Sequence, residues 1–237
     1  MDMCQESQTK RVGLSGNQLK LIAMLAMLAD HVGLILFPQM TALRMVGRLA
    51  FPIFAYMIAE GCRYTRNRSL YLAQMSALGA GCQIVAAFFG DGWHLNVLIT
   101  FSMAILTVFA IDGFLKKKNA VSLILMTLAI AGVAFVELVA PVWFAKQGFH
   151  PDYGVLGLML PVLVYFAREK WGKLFFTALI LVAMAWSSGG IQWWSLLTLP
   201  LLFFYSGQRG RLKMKYAFYV FYPLHLAVIY LIGVLWR

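Results

Sequence analysis

The sequence predicts an all-α, polytopic integral membrane protein, with about nine transmembrane helices in one bundle. Three observations support this fold class. Hydrophobic residues make up 62% of the 237 positions and charged residues only 12%, which is about half the charged fraction of a typical soluble domain. The apolar residues form successive long runs, and the basic residues fall in short clusters between those runs. A soluble domain with so little polar surface would expose large apolar patches.

The apolar runs occupy nearly the whole chain after a short polar start. A spanning helix needs about 20 mostly apolar residues, and the runs at positions 153 to 206 are the shortest. The predicted spans are residues 19–38, 45–62, 70–89, 96–115, 119–141, 153–167, 174–189, 191–206 and 216–236. We therefore expect a polar cytosolic tail over residues 1–18 and a single transmembrane domain over residues 19–237.

The distribution of lysine and arginine predicts the orientation of the spans, because cytosolic segments of membrane proteins are enriched in both. With the N-terminus in the cytosol, sixteen of the twenty basic residues fall on the cytosolic side. The remaining four are Arg44, Arg48, Lys146 and Arg237. We therefore expect a multi-pass membrane protein whose N-terminus lies in the cytosol and whose C-terminus lies outside. No cleavable signal peptide is evident, because the first run is of full membrane length.

Composition argues against several other classes of protein. The net charge of +11 would suit a nucleic-acid-binding protein, but the chain offers no soluble domain that could present a basic face. Cys4, Cys62 and Cys82 are too few and too scattered for a disulfide framework, and they form no Cys-x-x-Cys metal motif. We expect no metal and no nucleic-acid partner.

Several ionisable side chains are predicted to lie inside the membrane, where they are costly unless paired or hydrated. At about 1.5 Å per residue, His31 lies roughly 17 Å and His225 roughly 15 Å above the cytosolic lysines of their spans, at nearly the same depth. Asp30 points about 100° away from its neighbour His31. Arg48 enters the second span from the outside, and we expect it to form an ion pair with Asp30.

A short loop after the second span carries Arg63, Arg66 and Arg68 directly after Glu60. Arginine clusters beside backbone and hydroxyl donors suit phosphate groups. The same cluster also fits a plain topology signal for the cytosolic side. The residues themselves leave both interpretations open.

Proline and glycine motifs shape two later spans. Pro223 removes a backbone donor, and we expect it to open the last helix just before His225, next to Tyr222. Tyr153 begins a Tyr-Gly-x-x-Gly motif that favours close packing of a short helix. These tyrosines and His225 are candidates for substrate contact or structural support.

Three functions fit these polar residues. A membrane-embedded transferase would use His31 as general base toward an amine or hydroxyl, with the phosphates of a donor such as coenzyme A on the cytosolic arginines. A proton-coupled transporter would use the buried acids and histidines as relay groups, although the internal repeat of many such folds is not evident. A b-type haem protein would use His31 and His225 as axial ligands.

Six motifs spread from the first span to the last carry a family resemblance. The most specific are Leu-Ala-Asp-His-Val-Gly around Asp30 and Gly-Arg-Leu-Ala-Phe-Pro around Arg48. The others are Glu60-Gly61, Thr65-x-Asn67-Arg68-x-x-Tyr71, Tyr153-Gly154-x-x-Gly157 and Tyr219-x-Phe221-Tyr222-Pro223-x-His225-Leu226. In this order they resemble, over essentially the whole chain, the TraX family, whose founding member is the membrane acetylase of the F-type conjugative pilin. The resemblance also implies that the protein lies in the bacterial inner membrane.

The resemblance implies an acyltransferase-like domain that transfers an acetyl group from cytosolic acetyl-coenzyme A (acetyl-CoA) to an acceptor presented outside. The acceptor is expected to be an amine, such as a pilin N-terminus, or a hydroxyl. The family layout favours His31, with Asp30, as the catalytic centre. It implies acetyl-CoA contacts from Glu60, Arg63, Arg66 and Arg68, and support from Arg48, Tyr153, Tyr222 and His225.

Overall fold

A computed structural model describes residues 13–88, 93–210 and 215–235, which are almost entirely helical. The α-helices are α1 (Gly16–Ile35), α2 (Thr41–Gly47), α3 (Ala50–Tyr64), α4 (Arg68–Phe88), α5 (Val97–Lys117), α6 (Ala120–Ala134), α7 (Ala140–Trp143), α8 (Gly154–Phe166), α9 (Lys170–Ser188), α10 (Thr198–Phe203) and α11 (Lys215–Leu235). Two-residue strands β1 (His94–Leu95) and β2 (His150–Pro151) pair in parallel. The all-α membrane fold class is confirmed.

Helices coincide with each predicted span, and within the described residues six helical segments are long and apolar enough to cross a membrane. These segments are residues 16–35, 41–64, 68–88, 97–117, 120–143 and 170–188. The number of spans and their orientation therefore stay predictions. Residues 1–12 of the predicted tail and the C-terminal Arg237 lie outside the described part of the chain.

The start of α1 is defined by its own sequence and by a distant loop. Ser15 and Gln18 form a capping box, which satisfies backbone donors in the first helical turn. The amides of Gly16 and Asn17 donate to the carbonyls of Gln208 (2.8 Å) and Arg209 (3.0 Å). The loop after α10 is thereby held against the first turn of α1.

Helix α3 lies at the centre of the bundle, where it packs against α1, α5 and α8. Its small residues Ala55 and Ala59 are almost completely buried, and small residues of this kind let membrane helices approach closely. The side chains of Ile53 and Tyr56 are buried as well, so α3 contributes core residues on nearly every face.

The predicted span at 45–62 consists of two helices, because the chain leaves regular α-helix at Arg48 and Leu49. Pro52 has no backbone N–H to donate to the carbonyl four residues earlier, which is that of Arg48. The break therefore follows from the proline, and the span begins at Thr41 instead of residue 45.

Other spans also depart from a regular α-helix. A π-helix over Phe135–Val139 interrupts the span predicted at 119–141. The span predicted at 191–206 is a 3₁₀-helix, Gly190–Leu197, followed by α10. The expectation that Pro223 opens the last helix is wrong, because α11 continues through it without a break. One missing donor removes one backbone hydrogen bond, and the surrounding helix can absorb that loss.

The strands β1 and β2 join the loops before α5 and before α8. His94 pairs with His150 in register, and the amide of Asp152 donates to the carbonyl of Leu95 at 2.9 Å. The hydroxyl of Thr100 donates to the carbonyl of Asp152 at 2.8 Å. These bonds fix the backbone of Asp152 at the entrance to α8.

Candidate active site

A large cavity follows α1 and α3 along most of their lengths. Its volume is about 1370 Å³, above the roughly 300–1,000 Å³ of most small-molecule sites. On α1 its lining extends from Gly16 to Leu34, about 27 Å of helix rise and therefore most of a bilayer's hydrocarbon thickness. We name its two ends by their lining residues: the basic end has Lys20, Arg66 and Arg209, and the histidine end has Asp30, His31, Arg44 and Arg48.

A hydrogen bond joins the two predicted midplane histidines at the histidine end. The Nε2 of His225 lies 3.1 Å from the Nδ1 of His31. His31 lines the cavity, whereas His225 is 5% exposed and stacks on Phe221. The prediction that both lie at one depth is confirmed, and α11 thereby supplies a direct partner for His31.

The hydrogen bonds around the two rings determine where their protons lie when both are neutral. The Nδ1 of His225 donates to the carbonyl of Phe221 at 2.8 Å, so its Nε2 carries a lone pair. The Nδ1 of His31 lies 3.0 Å from the carbonyl oxygen of Met27 and 3.1 Å from that lone pair. It therefore carries the proton of its ring. Assigned from this network, the basic lone pair of His31 is on Nε2.

The predicted ion pair between Asp30 and Arg48 is confirmed. The Nη2 of Arg48 lies 2.7 and 2.8 Å from the two carboxylate oxygens of Asp30. The Nε of Arg44 also donates to this carboxylate, at 3.0 Å. Gly47 permits the close approach, because a Cβ there would collide with the Asp30 side chain. Two arginines on one carboxylate give the cluster a net positive charge beside His31.

Sequence reasoning missed Arg44 as a partner of Asp30 and treated it as a topology residue. The signal that could have found it is its spacing, because residues four apart lie on the same face of a helix. Arg44 precedes Arg48 by that interval within the segment that α2 begins. If Arg48 is predicted to contact Asp30, the same spacing therefore predicts that Arg44 lies close to Asp30 as well.

Aromatic side chains form the cavity wall next to this ion cluster. The ring of Tyr153 stacks on Phe51 with 3.8 Å between centroids. Tyr153 has a left-handed backbone with φ of 62°, a strained conformation for a bulky residue that surrounding contacts must hold. Tyr222 also lines the cavity and meets His225 edge-on. All three support residues named from the later spans thus gather at the histidine end.

Glu60 lines the cavity, but its carboxylate already has protein partners. It forms a buried ion pair with Lys173 and accepts a 3.5 Å hydrogen bond from the hydroxyl of Tyr205. Removing one partner of such a buried pair strands the other charge. The position of Glu60 therefore favours a structural link between α3 and α9 over contact with a bound phosphate.

The three arginines of the loop after α3 separate in the structure. Arg63 donates to the carbonyls of Tyr165 (2.6 Å) and Ala167 (3.1 Å), where it caps the end of α8. Arg68 pairs with Asp112 at 2.5 Å and so ties α4 to α5. Neither lines the cavity, whereas Arg66 does. The expected three-arginine phosphate site is therefore not formed.

The basic end instead combines cations from three parts of the chain. Arg66 is joined by Lys20 of α1 and by Arg209 of the loop after α10. Sequence reasoning counted Lys20 and Arg209 only as topology residues. No local signal marks Arg209, because its position depends on backbone hydrogen bonds between its loop and the first turn of α1.

Asp152 and His94 also line the histidine end, and sequence reasoning selected neither. The Oδ1 of Asp152 lies 4.0 Å from the Nε2 of His94, whose ring stacks on His150 with 4.1 Å between centroids. Burial raises the pKa of Asp152 to about 7, although Arg48 and His150 act to lower it. A carboxyl group that titrates near neutrality in a cavity is a candidate for function.

The direct contact between His31 and His225 makes the haem hypothesis wrong. Axial ligands bind iron from opposite faces of a porphyrin, and ring nitrogens 3.1 Å apart leave no space for a metal and a macrocycle between them. Within the described ranges, no group of three or more His, Cys, Asp or Glu side chains could hold a metal ion.

Comparison with known proteins identifies the family. The family model described as TraX protein matches residues 15–233, a range that contains both ends of the cavity. The chain belongs to the TraX family. The family match and the membrane-length helices found in the described part of the chain together indicate that this TraX-family chain is a membrane protein.

Two curated relatives of this TraX-family chain differ in how much they match. A protein of Dichelobacter nodosus named "Probable fimbrial assembly protein FimC, serogroup H1" is 28% identical over 247 residues, covering 93% of this chain and 96% of that protein. An uncharacterised protein of Rickettsia prowazekii (strain Madrid E) is 47% identical over 38 residues, covering 16% of this chain and 15% of that protein. No solved structure gives a significant match.

Proposed function

We propose that this TraX-family protein is a membrane-embedded acetyltransferase that uses acetyl-CoA as donor. It moves the acetyl group to an amine, or to a hydroxyl, that enters from the opposite side of the membrane. The observation that carries the proposal is the shared cavity, because Lys20, Arg66 and Arg209 line one end of it and His31 lines the other.

The residues at the basic end fit the phosphates of acetyl-CoA. Lysine and arginine form charge-assisted hydrogen bonds with phosphate oxygens, and three of these side chains line the cavity there. We orient this end toward the cytosol, in agreement with the distribution of basic residues. From Lys20 to His31 the helix rises about 17 Å, a distance suited to a long flexible arm that ends in a thioester.

His31 acts as the general base through Nε2. An acceptor that enters as an ammonium ion first loses one proton to water, because only its free lone pair can attack the thioester carbon. As the C–N bond forms, Nε2 takes the second proton, and the C–S bond breaks with the thiolate of coenzyme A as leaving group. The imidazolium then returns its proton to the thiolate, so His31 ends neutral.

The neighbours of His31 support this chemistry. His225 accepts the Nδ1 proton of His31 and thereby fixes the ring orientation that presents Nε2, as the third group of a catalytic triad does. The Asp30 cluster with Arg44 and Arg48 adds a net positive charge close by. Such a fixed charge favours the oxyanion that develops on the thioester carbonyl.

The acceptor class is proposed from the family and from the relative that matches nearly full length. That relative's name refers to fimbrial assembly, and the founding member of the TraX family acetylates a conjugative pilin. We therefore propose a role in processing pilin or a similar surface subunit, with its N-terminal amine as acceptor.

A proton-coupled carrier is the second candidate, because a cavity that follows α1 for about 27 Å is also what a translocation path requires. The two functions make different demands. A carrier moves an unmodified solute between compartments, whereas a transferase forms a covalent product even in detergent solution.

The test is acetyl transfer by the purified protein in detergent. Radiolabelled acetyl-CoA is incubated with a short peptide that carries a free N-terminal amine, and the same peptide blocked by N-acetylation is the control. We expect label on the free peptide only. Absence of label on this peptide and on hydroxyl acceptors, together with solute uptake in proteoliposomes, would favour the carrier.

A further inference from the structure

Asp152 is a carboxyl group at the histidine end to which the proposed mechanism gives no role. It lines the same cavity as His31, and 33% of its side chain is accessible. It lies close enough to Asp30 and Arg48 for their charges to affect its pKa. Asp152 therefore lies at the same end of the cavity as His31.

The structure holds Asp152 in place from several directions. Its amide donates to Leu95 in the paired loops, and its carbonyl accepts from the hydroxyl of Thr100. The next residue, Tyr153, has the left-handed backbone that turns the chain into α8. Because strain of this kind persists only where surrounding contacts impose it, the backbone position of Asp152 is fixed by the fold.

The two arginines at the histidine end already bind Asp30, which leaves the Asp152 carboxylate available for a ligand. Arg48 donates to both carboxylate oxygens of Asp30, and Arg44 also donates to Asp30. The Nε2 of His94 lies 4.0 Å from the Asp152 carboxylate, which is beyond hydrogen-bond distance.

We propose that Asp152 determines the acceptor specificity of the transferase by binding the ammonium group of a primary amine. This inference rests on the proposed function. Tyr153 and Tyr222 line the same region, and aromatic rings favour an adjacent cation. As the C–N bond forms, and before Nε2 of His31 takes the second proton, negative charge develops on the thioester oxygen and positive charge on the attacking nitrogen. The arginines suit the oxygen, and Asp152 suits the nitrogen.

The binding of an ammonium ion to a carboxylate gives the selectivity for amines over alcohols. A hydrogen bond to a charged group contributes about 1.5–3 kcal/mol more than none, which corresponds to roughly a 10- to 100-fold preference. An alcohol of the same shape carries no charge and gains less from Asp152.

The experiment compares alaninamide with lactamide, which differ only by an ammonium in place of a hydroxyl group. Binding of each is measured by saturation-transfer NMR to the wild-type protein, to Asp152→Asn and to Asp152→Glu. We expect wild type to prefer alaninamide about 10- to 100-fold. Asp152→Asn should lose this preference, and Asp152→Glu should keep part of it. A wild-type protein without preference, or a preference that survives in Asp152→Asn, would overturn the proposal.

Binding and turnover are read separately, so that failure of this inference differs from failure of the proposed function. If wild type binds alaninamide preferentially and never acetylates it, the transferase proposal fails and the Asp152 site stands. If acetylation proceeds and Asp152→Asn slows both acceptors equally, Asp152 is structural and the specificity proposal fails. Acetyl-CoA binding by Asp152→Asn, measured in the same samples, should match wild type, because Asp152 lies at the opposite end of the cavity.

Discussion

The two ends of the cavity differ in how their charged residues are used. At the histidine end, Asp30 pairs with Arg48 as its sequence position predicts, and His31 meets His225. At the basic end, the three arginines that are close in sequence do not stay together. Arg63 and Arg68 bind protein groups elsewhere, and Arg66 alone of the three lines the cavity. Depth in the membrane explains the contrast.

A buried charge has few ways to avoid its desolvation cost, so the partner can be inferred from depth and helix spacing. A loop arginine near water faces no such constraint, and its long side chain can cap a helix or join a distant acid at little cost. Partners deep in the membrane are therefore more predictable than those at its surface. The following predictions test this difference between the two ends.

The largest effect is expected at His31. Because general base catalysis contributes about 10²–10⁴-fold, His31→Ala should lower the turnover of acetyl transfer by roughly that factor. Its affinity for acetyl-CoA should stay close to wild type, since the phosphates bind at the other end. Turnover and donor affinity are measured on equal amounts of folded protein.

His225 provides the matched comparison for His31. As a positioning residue it should cost less turnover than His31 when changed to leucine, and His225→Gln should recover part of the loss, because glutamine keeps an acceptor for the His31 proton. If His225→Leu is inactive while His31→Ala stays active, the base is His225.

The next largest effect is expected in the stability of the Asp30 cluster. Removing one partner of a buried ion pair costs about 3–5 kcal/mol. Asp30→Asn strands two arginines, whereas Arg48→Gln leaves Asp30 with Arg44. Thermal unfolding in detergent should therefore show a larger loss for Asp30→Asn, and the double variant should lose less than the sum of the two.

Glycine variants separate this pairing from general helix packing. Gly47→Ala should resemble Asp30→Asn, because the added Cβ collides with the Asp30 side chain. Gly81→Ala is the control, since nothing lies within 4 Å of a Cβ at that position. Equal stability of both glycine variants would mean that the cluster tolerates displacement.

A smaller effect is expected from pH at the histidine end. Burial raises the pKa of Asp152 to about 7, so the carboxylate is present above that pH and lost as pH falls through it. Binding of butylamine, which stays protonated throughout, should strengthen about tenfold from pH 6 to pH 8. The measurement is an NMR titration at both values.

The effect of other charged and titratable groups near Asp152 on butylamine binding must be separated from the effect of Asp152 itself. They are His94, His150, Arg48, Asp30, Tyr153 and Tyr222. The two histidines act in the same direction, since their protonated forms repel an ammonium ion. Asp152→Asn should abolish most of the pH effect. An unchanged pH effect in that variant would assign it to the histidines.

The smallest effects are expected at the basic end. Exposed charge pairs contribute about 0.2–1 kcal/mol each, so Arg66→Ala or Arg209→Ala should raise the apparent KM for acetyl-CoA only about two- to fivefold. Lys117→Ala is the matched control, because Lys117 is an exposed cation that does not line the cavity. Equal KM values for all three variants would remove the basic end as donor site.

Much of the fold could be predicted from hydrophobic run length, because a spanning helix needs about 20 apolar residues. Helices coincide with all nine predicted runs in the part of the chain that the structure describes. Run length does not report the hydrogen-bonding pattern. It could not predict the π-helix at Phe135–Val139 or the 3₁₀-helix at Gly190–Leu197.

Contacts in the site could be predicted where the residues lie in spanning helices, because the rise per residue gives their depth in the membrane. That condition held for His31, for His225 and for Asp30 with Arg48. It failed for Asp152 and His94, whose approach to the cavity depends on pairing between two loops distant in sequence. Arg209 shows the same limit, because its loop is positioned by the first turn of α1.

The sidedness of acetyl transfer tests the proposed function most directly, because one cavity must receive the donor and the acceptor from opposite sides of the membrane. Purified protein is reconstituted in sealed proteoliposomes, with acetyl-CoA added outside and a membrane-impermeant peptide with a free N-terminal amine trapped inside. We predict acetylated peptide in the lumen, formed by molecules whose basic end faces outward, and none with His31→Ala. Acetylation that occurs only when donor and peptide share one compartment would contradict the account.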